Sequence, residues 1–215
     1  MMWFKGFKVA AVVLLLGGCA RNVHSLPEWA PSDGDGWEVR QVENEEAPSW
    51  VLYERDSVLA DVKEFRIIGT VEAQPQVVME ATRERLLDDQ YLPKGLEREV
   101  LVETDEEVIF YGLMSTPGTM RDREVTERIL FSVDASTGVY RMDGQEIDAD
   151  VPSARGVMRI PLARNTVVVE PMDDGSLLTN DSVHDIGGGF PNWLTYKPTR
   201  KQLVEDLGLV RELSR

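Results

Sequence analysis

Residues 190–213 read as one long amphipathic helix, entered through the triple glycine Gly187-Gly188-Gly189. With residues placed about 100° apart, Trp193, Tyr196, Leu203, Val204, Leu207 and Val210 fall within an apolar stripe roughly 120° wide. Such a stripe must be covered. Nearly everything between Trp37 and Asp185 reads as strands, so the expected cover is a curved antiparallel sheet closing on the helix. Pro198 removes a backbone donor and crowds the preceding turn, which predicts a kink one turn after Tyr196. A helix docked on a sheet over a solid core meets the same pattern.

The strands are legible from alternation. Residues 37–42 and 49–55 flank the acidic turn Glu43-Asn44-Glu45-Glu46 and read as a hairpin. In 62–71, Phe65, Ile67, Gly69 and Val71 form one alternate set against Glu64 and Arg66, as in a half-buried strand. Pro75 opens a helix whose Val78, Met79, Thr82 and Leu86 share a face, and which ends near Asp88-Asp89. Strands follow at 96–104, 107–114 (apolar on both faces, hence central), 123–133, 139–147, 155–162, 166–170 and 177–185. In 123–133, Val125, Ile129, Phe131 and Val133 share a face. Turns are expected at Ser136-Thr137-Gly138, Ala163-Arg164-Asn165 and Asp173-Asp174-Gly175. Short connections predict antiparallel pairing of consecutive strands. The order is that of an α+β fold with its helices segregated from one sheet.

The N-terminus carries a different signal. Lys5 and Lys8 precede the short apolar run 9–16, and Leu16-Gly17-Gly18-Cys19 follows. The run is too short for the span of about 20 residues that crosses a bilayer, and it reads as an export signal over 1–18. Leu-Gly-Gly-Cys resembles the lipobox of bacterial lipoproteins, which implies cleavage before Cys19, acylation of that residue and durable attachment to a membrane. Ala20 in the next position, in place of aspartate, resembles the pattern for export to the outer membrane, on its periplasmic face. Cys19 is the only cysteine, which excludes an internal disulfide. Residues 20–36, with Pro27, Pro31 and Ser32-Asp33-Gly34-Asp35-Gly36, read as a flexible tether, so that 19–36 forms anchor and tether and 37–215 one domain. The net charge of −15 becomes more negative once the two lysines of the signal are cut away. An acidic body disfavours nucleic acid and leaves membrane attachment to the acyl chains.

In this order the body resembles a START domain, the StAR-related lipid transfer module with the helix-grip fold. The matching pieces are residues 50–55 followed by Lys63-Glu64-Phe65-Arg66, then Phe110-Tyr111 with Pro117 and Arg121-Asp122, and finally Gly188-Gly189-Phe190-Pro191-Asn192-Trp193-Leu194. The resemblance implies a U-shaped sheet gripping the last helix around a hydrophobic tunnel, gated by the loop 115–120. Two features depart from the family. A tryptophan frequent after the middle helix is replaced by Asp88-Asp89-Gln90-Tyr91-Leu92-Pro93, and the last helix carries Pro198 amid Lys197, Arg200 and Lys201. Both bear on the size and type of ligand.

The implied cavity residues are Phe110, Met114, Met120, Arg121, Phe131, Met142, Met158, His184, Phe190, Trp193, Leu194 and Lys197. Methionine adapts to irregular partners, which suits a lipid-lining wall as well as core filling. Gly187 to Gly189 could present backbone donors to a phosphate headgroup, or simply permit a tight strand-to-helix turn. Catalytic equipment is sparse. His24 and His184 are the only histidines, no metal-ligand or nucleophile motif occurs, and neither a metal nor a cofactor is expected. Three readings stay open: a carrier of lipid or another hydrophobic ligand without turnover; a helix-grip cyclase or hydrolase built on converging Arg121, Asp181 and His184; and an adaptor with a filled core contacting a periplasmic protein partner.

Overall fold

The computed structural model describes residues 26–31, 34–44, 47–116, 118, 120–148 and 156–215. Within them the chain forms β1 (Glu38–Val42), β2 (Trp50–Asp56), β3 (Lys63–Val71), α1 (Pro75–Leu87), β4 (Leu96–Glu103), β5 (Glu107–Met114) and β6 (Arg123–Asp134). It continues through β7 (Val139–Glu146), β8 (Met158–Arg159), β9 (Leu162–Met172), β10 (Gly175–Asp185) and α2 (Trp193–Leu213). Residues 1–25, which include Cys19 and the expected export signal, lie outside the described set. No helix among the described residues is long and apolar enough to cross a membrane.

All the strands join one sheet, ordered β1-β2-β3-β10-β9-β7-β6-β5-β4, with β8 beside β6. The pairings are antiparallel except for the short parallel contact of β8 with β6. Consecutive strands pair as expected until β3, which pairs with β10 instead of β4. Helix α1 makes the crossover, packing over β7, β9 and β10 on its way to the far edge. Two local expectations are corrected. The strand at 155–162 is reduced, among the described residues, to Met158–Arg159, and Ala163, Arg164 and Asn165 are not a turn. They sit inside β9, where they pair with His184, Val183 and Ser182. Asn165 and Arg164 also pair with Gly144 and Gln145 of β7, so strand neighbours on both sides override the turn preference of the triplet.

Pleating sends alternate residues to opposite faces. The inner face gathers Trp50, Leu52, Phe65, Ile67, Val71, Val108, Ile129, Met142, Val167, Val169 and Leu178 into the main core, with Val78 and Met79 of α1. Leu203, Leu207 and Val210 close it from α2, three of the stripe residues expected there. Helix α2 runs unbroken through Pro198. It seats closely because β3 carries Gly69 beneath it. A Cβ at Gly69 would stand 2.6 Å from Leu207 Cδ2 and 3.1 Å from Trp50 Cβ. Arg211 then donates to the carbonyls of Thr70 and Ser49, both at 2.9 Å. Asp206 accepts from Arg85 of α1 at 2.5 Å, which joins the two helices.

On the outer face Val51, Tyr53 and Ile68 are covered by the N-terminal segment, with Ala30 and Trp37 buried and Leu26 and Trp29 packed beside them. The guanidinium groups of Arg55 and Arg66 stand 4.3 and 4.4 Å from the Trp37 ring, and Tyr53 donates to the Pro31 carbonyl at 3.1 Å. The segment expected as a free tether up to Gly36 is therefore docked through Leu26, Trp29, Ala30 and Pro31, because the apolar outer face of β2 and β3 needs a cover.

Gly69→Val should lower stability by about 1–3 kcal/mol, the usual cost of overpacking. Urea unfolding measures it, and an unchanged midpoint would contradict the seating of α2 on β3.

Candidate ligand cavity

Between the inner face, α1 and α2 the packing is incomplete, and a cavity of about 390 Å³ remains. Its apolar wall is made by Ile67, Ile129, Met142, Val167 and Leu178 of the sheet, Leu86 of α1, and Leu203, Leu207 and Val210 of α2. Leu92, Pro93 and Leu96, which connect α1 to β4, border it on another side. This is the Asp-Asp-Gln-Tyr-Leu-Pro stretch that departs from the resemblance; Asp88 caps its 3₁₀ turn by accepting from the Gln90 backbone at 2.9 Å.

The polar wall is built by register. Asn180, Ser182 and His184 alternate along one face of β10, and Asn165 stands opposite Ser182 on β9. On β6, Glu127 occupies the same parity as Val125 and Ile129, so it points inward, opposite Glu146 of β7 and Phe110 of β5. Arg98 of β4 donates to the Leu87 carbonyl at 2.6 Å and to Asp89 at 2.7 Å, and Arg85 is paired with Asp206. Asn165 donates to Asn180 at 2.9 Å, and Ser182 Oγ lies 3.1 Å from His184 Nδ1. Glu127 has no hydrogen-bond partner among the described residues.

Burial sets the ionisation of these groups. Desolvation, reinforced by the charge of Glu146, pushes Glu127 from its ordinary 4.5 up to about 7. Desolvation pushes His184 below its ordinary value against the pull of Glu146, so the ring is held neutral. It also raises Asp206, opposed by Arg85 and Gln202. No group of His, Cys, Asp and Glu that could hold a metal ion occurs among the described residues.

No family model matches the sequence, and no curated protein matches it significantly. Solved structures do match. A STAR-related lipid transfer protein from Xanthomonas axonopodis superposes with a TM-score of 0.68 at 23% identity, over 84% of this chain and 99% of that one. This chain has the START fold. Human StAR-related lipid transfer protein 5 superposes with a TM-score of 0.66 at 15% identity, over 85% and 88% of the two chains. The lipid transfer and protein localization domain of human StarD13 gives 0.62 at 17% identity, over 84% and 89%. The sheet with its C-terminal helix is the helix-grip arrangement of the START fold, as the resemblance implied.

Within that fold Phe110, Met142 and His184 line the cavity, and the other named candidates do not. Phe131 is packed at the edge of the main core, with the Arg83 guanidinium 4.8 Å from its ring. Met114 is half-buried at the end of β5, and Met120 and Arg121 are exposed. Met158 packs against the turn before α2, where a Cβ on Gly188 would meet its Cε at 2.6 Å. Phe190 precedes the helix, while Trp193, Leu194 and Lys197 are exposed on its first turns, Trp193 at 67%. Trp193, Leu194 and Lys197 fall on the solvent side of the first turns of α2, whereas Tyr196 on the same turns packs against Phe65 with ring centroids 5.7 Å apart, and Pro198 and Thr199 border the cavity.

Gly187, Gly188 and Gly189 all take positive φ, between 67° and 71°, which assigns them to the turn. The arginine that braces this turn is Arg123. It is buried and donates to the Ile186 carbonyl at 3.2 Å and the Gly187 carbonyl at 3.4 Å. Of the expected gate, Pro117 and Thr119 lie outside the described residues. Thr116 is tied back by its backbone N–H to Asp122 at 2.8 Å. Arg121, Asp181 and His184 do not converge. Asp181 differs from His184 by an odd number of residues, lies on the other face of β10, and takes both prongs of Arg66 at 2.6 Å.

A carboxyl whose folded pKa is raised loses stability as pH rises from its unfolded value through its folded one, here from 4.5 to about 7. His184 acts in the opposite direction, losing stability as pH falls below its ordinary value. Comparing Glu127→Gln with the parent cancels the histidine. The variant should gain about 2 kcal/mol more at pH 8 than at pH 5 in urea unfolding; an equal effect at both pH values would mean that Glu127 is fully solvated.

Proposed function

We propose that this chain binds a lipid or another hydrophobic small molecule in the cavity between α2 and the sheet, and carries it without chemical turnover. The observation that carries the reading is the cavity of about 390 Å³ under the gripping helix, walled by apolar side chains of the sheet and both helices with polar groups set among them. Burial of apolar ligand surface at about 25 cal/mol per Å² would supply most of the affinity, and the polar groups the orientation. The structural neighbours named as lipid transfer proteins support the same reading. An adaptor with a filled core does not fit a cavity of this size, and the residues named for a cyclase or hydrolase site do not meet.

The anchor belongs to this proposal. Cys19 is acylated, holding the domain at the periplasmic side of the outer membrane, and the acidic body stays off the anionic surface. A periplasmic protein that receives the cargo would be the natural partner.

The full chain, purified without detergent and examined by native mass spectrometry after lipid extraction controls, should carry a reproducible hydrophobic adduct. Thr199→Trp, which projects a large side chain from α2 into the cavity, should abolish it with little change in stability; an adduct that persists in this variant would place the ligand elsewhere. Separately, Cys19→Ala should shift the protein from the membrane fraction to the soluble one, and retention on the membrane would contradict the anchor.

A further inference from the structure

One charge in the cavity wall has no buried counter-charge among the described residues. Arg98 of β4 lines the cavity with Leu96, two residues back on the same face of the strand. Its side chain is only 4% exposed, whereas Asp89, the carboxylate 2.7 Å from it, is 76% exposed. Water therefore screens that pair. Arg98 Nη2 spends one hydrogen on Asp89 and the other on the Leu87 carbonyl, at 2.6 Å. Nε is buried and has no hydrogen-bond partner among the described residues. Arg85, which also borders the cavity, differs: it donates twice to Asp206, at 2.9 and 2.5 Å, and both side chains are largely buried, so that pair neutralises itself inside the protein.

The register shows what stands near Arg98. Its partner on β5 is Gly112, which sets no side chain beside it, and Gly112 faces Val125 on β6. The side chains closest to Gly112 are those of Val125 and Phe110, both apolar. Glu127 opposes Phe110, two residues along β6 from Val125 and two strands away from β4. Leu92 and Pro93, from the connection of α1 to β4, border the cavity on the same side. A guanidinium among apolar side chains, with a spare donor and a partner screened by water, is costly to bury until an acceptor reaches it. A neutral acceptor satisfies the donor alone. An oxyanion also supplies the counter-charge, and charge-assisted hydrogen bonds are the stronger kind.

We infer that Arg98 is the polar anchor of the cavity and selects an amphiphile with an oxyanion head, a carboxylate or a phosphate, seated against Arg98 with its chain along the apolar wall. This rests on the ligand-binding reading above and adds the chemistry of the ligand's head. The volume of about 390 Å³ sits near the lower end of the roughly 300–1,000 Å³ that ligand pockets span, which suits one acyl chain.

The test uses the full chain at pH 7 and displacement of the neutral fluorophore N-phenyl-1-naphthylamine by four compounds with one oleoyl or oleyl chain. Oleic acid or oleoyl lysophosphatidic acid should displace the probe at concentrations about tenfold below those of monooleoylglycerol and oleylamine. Which of the two anions does so separates a carboxylate head from a phosphate. Monooleoylglycerol should still bind, through its chain. In Arg98→Met, which keeps the apolar length and removes the guanidinium, the preferred anion should weaken about tenfold while monooleoylglycerol changes by less than about threefold. The variant also loses the bonds to Asp89 and Leu87, so a second measurement uses the parent chain: the Nε–H proton signal of Arg98 in NMR should move downfield when the anion binds. Should the variant bind none of the four compounds, that signal decides. Neither anion outranking monooleoylglycerol and the amine, an anion preference that survives Arg98→Met, or an Nε–H signal that stays fixed under bound anion would overturn the inference and leave the ligand-binding reading standing. Absence of uptake of the probe and of all four compounds by the parent chain would overturn both.

Discussion

The contact on which the rest depends is that of Leu207 with the glycine beneath it. Because β3 carries no side chain at Gly69, α2 approaches until Leu207 reaches the backbone and Trp50. That approach fixes one end of the helix, and Arg211 reinforces it from the next turn. Nearer its start α2 touches the sheet again through Tyr196, which packs on Phe65, while Trp193, Leu194 and Lys197 face solvent. The cavity is what remains between these two conditions, bordered on the other side by α1.

Desolvation connects this geometry to chemistry. The same packing that excludes water from the inner face raises Glu127 and Asp206 and lowers His184. Three ionisable groups are thereby shifted toward their neutral forms, and a wall that is polar by residue type becomes weakly charged in practice. Such a wall orients a ligand through hydrogen bonds and leaves affinity to apolar burial. The outer face works differently. There Arg55 and Arg66 stand over the Trp37 ring, Asp181 takes both prongs of Arg66, and the cluster holds the N-terminal segment in place.

Much of this was legible in the sequence, because period and parity report burial directly. The stripe Leu203, Leu207 and Val210, the set Phe65, Ile67, Gly69 and Val71, and Pro75 at the start of α1 all lie where alternation and helical spacing put them. The START resemblance carried the grip of the sheet on α2, which periodicity lacks, but the pairing of β3 with β10 was read from neither, since short connections predict only that consecutive strands pair. Glu127 was missed, although its parity with Val125 and Ile129 marks it as a charge on an apolar face. Arg123 was missed for Arg121 because the two differ only in their distance from the strand start. Trp193 and Leu194 misled because hydrophobicity alone does not tell which side of a helix's first turn meets the sheet. The docking of Leu26, Trp29, Ala30 and Trp37 escaped notice because a Pro- and Gly-rich composition reads as a tether unless the apolar outer face of β2 and β3 is considered with it.

The central claim is that an apolar molecule occupies the space between α2 and the inner face. Methyl-resolved NMR of the full chain, titrated with monooleoylglycerol, tests it most directly, since Met142, Ile129 and Leu207 line the cavity whereas Ile68 is buried on the opposite face. The account predicts saturable shifts in the first three methyl signals with the Ile68 signal unmoved. Cavity methyls that stay fixed at saturating ligand, or shifts confined to the outer face, would contradict it.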